Sequence, residues 1–185
     1  LGEVVGSYAK RHLVPFGEYV PLEHWLRGVI AFFDLPMSRN RPGPQQQAPL
    51  SFKGQPLSLS ICYEIAYPHL VRSAAKEPMA LMTISNDTWF GDSIGPVQHL
   101  QIAQMRALEN GRSLLRVTNN GITAAIDHAG EITDVLPRNQ QGVLQTELVL
   151  VRGDTPYHRF GYGMLGAILI FVFLLNIAAS RWRSQ

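Results

Sequence analysis

Residues 161–180 form the stretch that most limits how this chain can fold, because these twenty residues include no charged side chain. As a helix at about 1.5 Å per residue, GYGMLGAILIFVFLLNIAAS matches the roughly 30 Å hydrocarbon core of a bilayer. The segment is too long, and too apolar on all sides, for the core helix of a small domain. Aromatic residues flank it as they flank membrane interfaces: Tyr157, Phe160 and Tyr162 before it and Trp182 after it. We therefore predict a membrane-spanning helix.

The composition of the whole chain is that of a folded protein with an apolar appendage. Among 185 residues, 46% are hydrophobic and 16% are charged, against roughly 25% charged in typical soluble domains. The formal net charge is only +2 and the Lys and Arg residues are scattered, so we expect no nucleic-acid partner. We predict one domain over residues 1–156, followed by the membrane helix and a short tail over 157–185.

Hydrophobic periodicity predicts a layered α/β arrangement for that domain. Short apolar or alternating runs indicate strands, and apolar spacing of three and four residues indicates helices. An Asn-Gly pair at 120–121 and the tetrapeptide HAGE indicate two tight turns of a β meander. The predicted strands cover residues 49–53, 56–62, 79–86 and 142–151, the meander covers 114–136, and the helices cover 22–34, 67–77 and 97–112, the last with Gly111 as its C-cap.

The only cysteine, Cys62, lies in LSLSICYEIAYPH, where a predicted strand gives way to a predicted helix. A single cysteine forms no intrachain disulfide, so any role it has is that of one thiol. The six histidines show no HxxxH spacing, and we expect them at the surface or at helix ends. With one cysteine and dispersed histidines, no metal site is predicted.

A thiol attacks a carbonyl efficiently only as the thiolate, which needs a nearby base or a positive charge. Lys10 lies eight residues before Glu18, with a Pro-Phe-Gly turn between them that can bring the carboxylate back to the ammonium. Glu64 can act on Lys10 from the other side, and backbone N–H groups after Cys62 can bind an oxyanion. From the residues alone two other interpretations stay open: a histidine close in space to Cys62, or a buried cysteine with unrelated surface charges.

Three motifs in order resemble the carbon–nitrogen hydrolase (nitrilase) superfamily: K-x-x-L-V-P-F-G-E from Lys10, ICYE fifty-two residues after that lysine, and SNDTWFG. The closer resemblance is to its membrane branch, the apolipoprotein N-acyltransferases of bacterial inner membranes. It extends from about residue 7 to 180 through YAKRHLVPFGEYVP, SICYE, SNDTWFGDSIGPVQHLQIAQMRALENGR, TNNGITAAID and GDTPYHRFGYG.

The resemblance implies an αββα sandwich, incomplete at its N-terminus here, and covalent catalysis without a metal, nucleotide or flavin cofactor. The thiolate would take an acyl chain from a phospholipid as a thioester and pass it to the α-amino group of a diacylglyceryl-cysteine on an apolipoprotein. Carried over by position, the residues are Cys62 as nucleophile, Lys10 as triad lysine, Glu18 and Glu64 as accessory glutamates, and Tyr63 and Trp89 as residues that line the site.

Two further expectations follow from the resemblance. It places the protein in the inner membrane as a monomer, with the catalytic domain in the periplasm; the arginines that flank the apolar segment are balanced and do not decide the orientation. The family's general-base glutamate precedes the lysine by far more than the nine residues available here, and Glu3 is too close. We therefore expect a C-terminal fragment that is inactive alone. The alternatives are a membrane-tethered amidase or nitrilase, and an inactive membrane-anchored module.

The apolar stretch between the lysine and cysteine motifs generates a first prediction. It contains Trp25, Phe32, Phe33, Leu35 and Met37, which can form either core or an arm that admits lipid tails. We expect replacement of Phe32 and Phe33 by Ser to lower phospholipid-dependent acylation more than it lowers the free energy of unfolding. Acylation assays and denaturant titrations of the same variant check this, and equal losses would mean that the two phenylalanines only pack.

Overall fold

A computed structural model describes residues 3–4, 6–22, 40–75 and 80–183 of the chain. The helix predicted over 22–34 lies almost entirely outside the described residues, as do Phe32 and Phe33. All the strands predicted from the sequence lie within the described ranges, apart from one residue of the third.

The centre of the described structure is one six-stranded sheet whose strands follow chain order. The two inner pairs, β2 with β3 and β3 with β4, are parallel, and the outer pairs are antiparallel. The predicted α/β class and the β meander are therefore confirmed. The strands are β1 Leu50–Phe52, β2 Gln55–Ile61, β3 Ala80–Ser85, β4 Ser113–Thr118, β5 Thr123–Ile126 and β6 Ile132–Leu136; the helices are α1 Pro68–Ala74, α2 Gly95–Asn110, α3 Pro156–Phe160 and α4 Gly163–Arg183.

Parallel neighbours need crossover connections, and α1 and α2 lie in the two crossovers, between β2 and β3 and between β3 and β4. They pack on one face of the sheet, where the core combines large strand residues with small helix residues. Ala103 and Ala107 of α2 are fully buried, and their size lets the helix lie close to the strands. The core cluster contains Ile65, Val71, Ala75, Leu81, Leu100, Ala103, Ala107, Leu114, Ala124 and Ile126.

The opposite face of the sheet is more open. Ile84 on this face is 43% exposed, and a cavity of about 680 Å³ is lined by Leu115, Val117, Leu136 and the segment after β6. The described residues thus supply one sheet of the sandwich that the resemblance implies, covered by helices on one side only. This is an apolar face of the kind that a second layer covers in two-layer domains.

One predicted strand is wrong. Residues 142–151 form no strand, although their apolar residues alternate with polar ones. The segment forms no backbone ladder with the sheet, although β6 at the sheet edge pairs only with β5 in the described structure. The segment is bound instead by single side-chain contacts, such as the Ser113 hydroxyl donating to the Val149 carbonyl at 2.6 Å. Val143 is accordingly 95% exposed.

The segment 153–160, which we call the joint, connects the sheet domain to α4 through several hydrogen bonds. Arg72 on α1 donates to the backbone carbonyls of residues 157–159 at 2.9–3.0 Å. Arg112 donates to the Gly153 carbonyl at 2.6 Å, and the Thr155 hydroxyl donates to the Glu109 carbonyl at the end of α2. The joint is therefore attached to both α1 and α2.

Helix α4 contains the predicted apolar segment. Its stretch Gly163–Trp182 is long and apolar enough to cross a membrane, and none of it is buried against the rest of the described structure. A core helix of a soluble domain would be mostly covered, so length, composition and exposure agree with the predicted span.

Gly111 generates a prediction about stability. It ends α2 with φ +60 in the left-handed region, as the sequence predicted, and an added Cβ would lie 2.9 Å from Cγ2 of Thr155 in the joint. We expect Gly111→Ala to lower the free energy of unfolding by about 1 kcal/mol or more, from backbone strain plus the contact.

Denaturant titration of the detergent-solubilised protein measures this change. Gly163→Ala is the matched control, because nothing lies within 4 Å of its added Cβ and its φ is not positive. Equal stabilities of the two variants would contradict the prediction.

Candidate active site

The candidate site lies at the carboxyl ends of the three parallel strands, the edge where α/β sheets place their functional groups. Cys62 follows the last residue of β2 directly, and Ile61 pairs with Ile84 of β3. Ser85 pairs with Thr118 at the ends of β3 and β4. The turns that leave all three strands therefore meet at one edge of the sheet.

Cys62 itself has a backbone conformation that is unusual for a residue with a side chain. Its φ is +55, and it begins a short 3-10 helix, Cys62–Ala66, that leads to Pro68 at the start of α1. A left-handed conformation costs roughly 1–2 kcal/mol for an L-residue. Such strain occurs most often at functional sites, where surrounding contacts maintain it. The thiol is partly exposed and forms no disulfide.

The predicted ion pair between Lys10 and Glu18 is formed. Nζ of Lys10 lies 2.7 Å from Oε1 of Glu18, and the lysine side chain is only 10% exposed. The chain reverses at 16–18, where the Glu18 amide donates to the Val14 carbonyl at 2.9 Å. The second carboxylate oxygen accepts from the Val14 amide, also at 2.9 Å. This turn is what returns Glu18 to the lysine.

The carboxylate of Glu64 is buried, at 1% exposure, and accepts hydrogen bonds from four neutral donors. Oε1 accepts from the Arg11 and His12 amides at 2.6 and 3.0 Å, and Oε2 accepts from the Ile61 amide at 2.8 Å and from the Tyr8 hydroxyl at 2.9 Å.

The Tyr8 hydroxyl donates to Glu64 over a wide pH range. Burial, followed by the charge of Glu64, raises the pKa of Tyr8 to about 12, so the hydroxyl keeps its proton. Glu64 therefore connects the loop at residues 8–12, which contains Lys10, to the end of β2, where Cys62 begins the next turn. Its observed contacts are those of a residue that positions the loop.

The two predicted lining residues are solvent-accessible. Trp89 is 70% exposed in a 3-10 turn, Asp87–Phe90, that follows β3. Tyr63 is 41% exposed, and its ring packs edge-on against Tyr67 with centroids 5.6 Å apart. The roles predicted for these two residues, and for Cys62, Lys10, Glu18 and Glu64, remain predictions.

Next to this edge the structure contains a buried polar cluster that the sequence did not indicate. We call it the Asp87 cluster; its members are Asp87, His99 and Arg116, which are 0%, 2% and 0% exposed. Nη2 of Arg116 lies 2.5 Å from Oδ2 of Asp87, and Nδ1 of His99 lies 3.2 Å from Oδ1. The Ser85 hydroxyl also donates to Asp87, at 2.6 Å.

The pKa shifts in the cluster follow from these contacts. Burial alone would raise the pKa of Asp87, but the hydrogen bonds of His99 and Ser85 and the charge of Arg116 outweigh burial and hold it below the usual value. Burial lowers the pKa of Arg116, against the opposing charge of Asp87. Asp87 is thus a carboxylate paired with a buried cation.

Gly121, the glycine of the Asn-Gly pair at 120–121, is required by packing as well as predicted by a turn. The sequence predicts only a turn between strands, and β4 and β5 do pair antiparallel around it. However, φ of Gly121 is not positive. A Cβ there would lie 2.1 Å from Oδ2 of Asp87, so the glycine is required by close approach to the cluster.

The expected position, at the surface or at a helix end, is wrong for His99, which lies within α2 at 2% exposure. His158 is also buried, at 8% exposure, but it lies in the last turn of α3, which is a helix end. His158 contacts Asn110 through Nδ1 at 3.2 Å.

The available signal for the Asp87 cluster was the arginine inside the apolar strand sequence SLLRVT, since an unpaired charge is not tolerated in a strand core. The described residues contain no group of three or more His, Cys, Asp or Glu side chains that could hold a metal ion.

Comparison with known proteins agrees with this architecture. A family model described as carbon-nitrogen hydrolase matches residues 1–155. The chain is 51% identical over 178 residues to a Pseudomonas paraeruginosa protein named apolipoprotein N-acyltransferase, covering 94% of this chain. It is 52% identical over 184 residues to a protein of the same name from Azotobacter vinelandii. The chain spans 35% of the length of each of these relatives.

A solved structure is similar as well. It is a mutant amidase from Nesterenkonia sp. AN1 that carries the product of Michael addition of acrylamide at its active-site cysteine. The TM-score is 0.51 at 26% identity, and the match covers 74% of this chain and 49% of that one. The similarity supports the nitrilase-like fold.

Glu64 accepts hydrogen bonds from four donors with its two carboxylate oxygens, and this generates a prediction about stability. In Glu64→Gln one oxygen becomes an amide NH2, which faces two donors and leaves them unpaired. An unpaired buried donor costs about 1–3 kcal/mol, so we expect a loss of that size in the free energy of unfolding, measured by denaturant titration. Glu147→Gln, at an exposed position, is the control, and equal values for the two variants would contradict the positioning role.

Proposed function

The chain belongs to the carbon–nitrogen hydrolase family, and we propose that it forms the acyl-transfer part of an enzyme that N-acylates lipoproteins. The names of the relatives support the reaction, and the curated proteins that carry those names are about three times as long as this chain. The proposal therefore concerns the full-length protein, to which this chain would contribute the nucleophile and the lysine.

The observation that supports this proposal most is the pair of linked turns at the sheet edge. Cys62 lies in a left-handed turn, and Glu64, two residues later, accepts from the amides of Arg11 and His12, which directly follow Lys10. A half-buried thiol and a lysine whose ammonium is ion-paired at 2.7 Å are the parts that thiolate catalysis requires.

In the first step the Cys62 thiolate attacks the ester carbonyl of a phospholipid acyl chain. The carbon–sulfur bond forms and the carbon–oxygen bond to the glycerol breaks. The departing alkoxide takes a proton from the protonated form of the glutamate that acts as general base in the second step, and the lysophospholipid leaves. The Lys10 ammonium stabilises negative charge on the thiolate and on the tetrahedral oxyanion. Glu18 holds the ammonium in place through their ion pair.

In the second step the α-amino group of a diacylglyceryl-cysteine attacks the thioester. An amide bond forms, the carbon–sulfur bond breaks, and Cys62 returns as thiolate. A thioester suits this step because a thiolate leaves more readily than an alkoxide. The amine loses a proton, and we propose that a glutamate outside this chain takes it as the general base.

The apolar helix suits a reaction between two lipid-anchored substrates. We propose that α4 spans the bacterial inner membrane, with the sheet domain on the periplasmic side and the protein acting as a monomer. Both substrates would then diffuse in the same bilayer as the enzyme. Tyr63 and Trp89 are exposed enough to contact an acyl chain at the site.

The test uses the full-length protein in vesicles of phosphatidylethanolamine and phosphatidylglycerol. We expect mass spectrometry to find a hydroxylamine-labile acyl group on Cys62, and a diacylglyceryl-peptide with a free amine to remove it as an amide. Lys10→Met should lower the rate of acyl loading at least tenfold, because the thiolate loses its cation. The control is Lys53→Met, at an exposed lysine in the β1–β2 turn.

Two outcomes would contradict the proposal. If acyl-Cys62 releases a free fatty acid at the same rate with and without the amine, the protein is a hydrolase of the amidase type. If Cys62 never carries an acyl group, the site is not a thiol-dependent enzyme and the chain acts as a membrane-anchored module.

A further inference from the structure

The Asp87 cluster contacts the peptide backbone of Cys62 through one side chain. Nε2 of His99 lies 3.3 Å from the backbone oxygen of Cys62, a donor-to-carbonyl distance. The other ring nitrogen, Nδ1, lies 3.2 Å from Asp87 and 3.3 Å from Nη2 of Arg116. With a proton on Nε2, Nδ1 either donates to the carboxylate or accepts from the guanidinium. Either way, one ring joins the cluster to Cys62.

Stability alone is a weak explanation for this cluster. A buried ion pair is often replaceable by apolar residues without loss, because desolvation offsets the attraction. The cluster is also incompletely satisfied, since the buried Nη1 of Arg116 has no hydrogen-bond partner within the described part of the chain. A cluster that served only to stabilise the core would pair every buried donor.

The cluster also acts on Cys62 electrostatically. The guanidinium of Arg116 is close enough for the charge of the Cys62 thiolate to raise its pKa, in opposition to burial, the larger effect, which lowers it. The turn at Cys62 is thus linked to a buried cation and to an oriented histidine.

We propose that His99 is a positioning residue for the nucleophile: anchored by Asp87 and Arg116, it donates from Nε2 to the carbonyl of Cys62 and fixes the left-handed turn that presents the thiolate. The inference rests on the proposed function in that it takes Cys62 to be the attacking group. It adds a residue from α2, and its anchors from the turn after β3 and from inside β4, to a site otherwise built from the Lys10 loop and the end of β2.

Two isosteric replacements of His99 separate the contact with Cys62 from the contact with Asp87. The amide nitrogen of Gln reaches the position of Nε2, so His99→Gln keeps a donor to the Cys62 carbonyl. The amide nitrogen of Asn corresponds to Nδ1, so His99→Asn keeps the Asp87 contact and loses the one to Cys62. His128→Asn, at an exposed histidine, is the control.

The readout is the second-order rate of acrylamide addition to Cys62 in the full-length protein, with the melting temperature measured alongside. Acrylamide is chosen because it adds to the active-site cysteine of the similar amidase. We expect His99→Gln to keep the rate within threefold of the native protein and His99→Asn to lose at least tenfold. A rate for His99→Asn equal to or above that of His99→Gln would overturn the proposal.

Acyl loading from phospholipid is measured on the same variants, and should follow the same order. The acrylamide rate needs no lipid substrate, so it decides on His99 even if Cys62 never accepts an acyl chain. If neither variant folds, Ser85→Ala replaces them, because it removes the hydroxyl donor to Asp87 and leaves the ring in place. There we expect a rate loss of at least threefold, and an unchanged rate would overturn the proposal.

Discussion

The backbone of Cys62 has a conformation that residues with side chains rarely adopt, and the surrounding chain holds it from both directions. Glu64 accepts from the amide of Ile61, just before the cysteine, and His99 contacts the carbonyl of Cys62 itself. The conformational cost is roughly 1–2 kcal/mol, while one buried hydrogen bond contributes about 0.5–1.5 kcal/mol. Two such hydrogen bonds together contribute about as much free energy as this conformation costs, whereas one alone contributes no clear excess.

The features of the fold and of the candidate site differ in how far the sequence could reveal them. The junction at Cys62, the Lys10–Glu18 pair and nearly all strands could be predicted, because each depends on local periodicity or on a short turn. The Asp87 cluster joins residue 87 in the turn after β3, residue 99 on α2 and residue 116 inside β4, and no local pattern links them. The strand predicted at 142–151 was wrong because alternation shows only that a segment can pair, while actual pairing depends on contacts beyond the segment itself.

The proposed function gives these contacts a shared purpose. The proposed chemistry needs a thiolate, a cation and a defined direction of attack, and we propose that three different segments of this chain supply them. The loop at 8–12 brings the ammonium, the end of β2 brings the sulfur, and α2 brings the histidine. Glu64 connects two of these segments, because it accepts from amides of the loop at 8–12 and from the amide of Ile61. Its burial makes it a part of the framework, so its loss would affect geometry before it affects charge.

The joint at 153–160 has a consequence for how the domain and its anchor move. Arg72 and Arg112 attach this segment to the body of the domain at carbonyls on both sides of Thr155. A free linker of this length would let the domain swing, whereas a bonded one transmits any tilt of α4 to the sheet. With α4 in a bilayer, the position of α4 then sets the height of the sheet edge above the lipid surface. Bilayers of different thickness would raise or lower Cys62 together with the sheet domain, as one rigid unit.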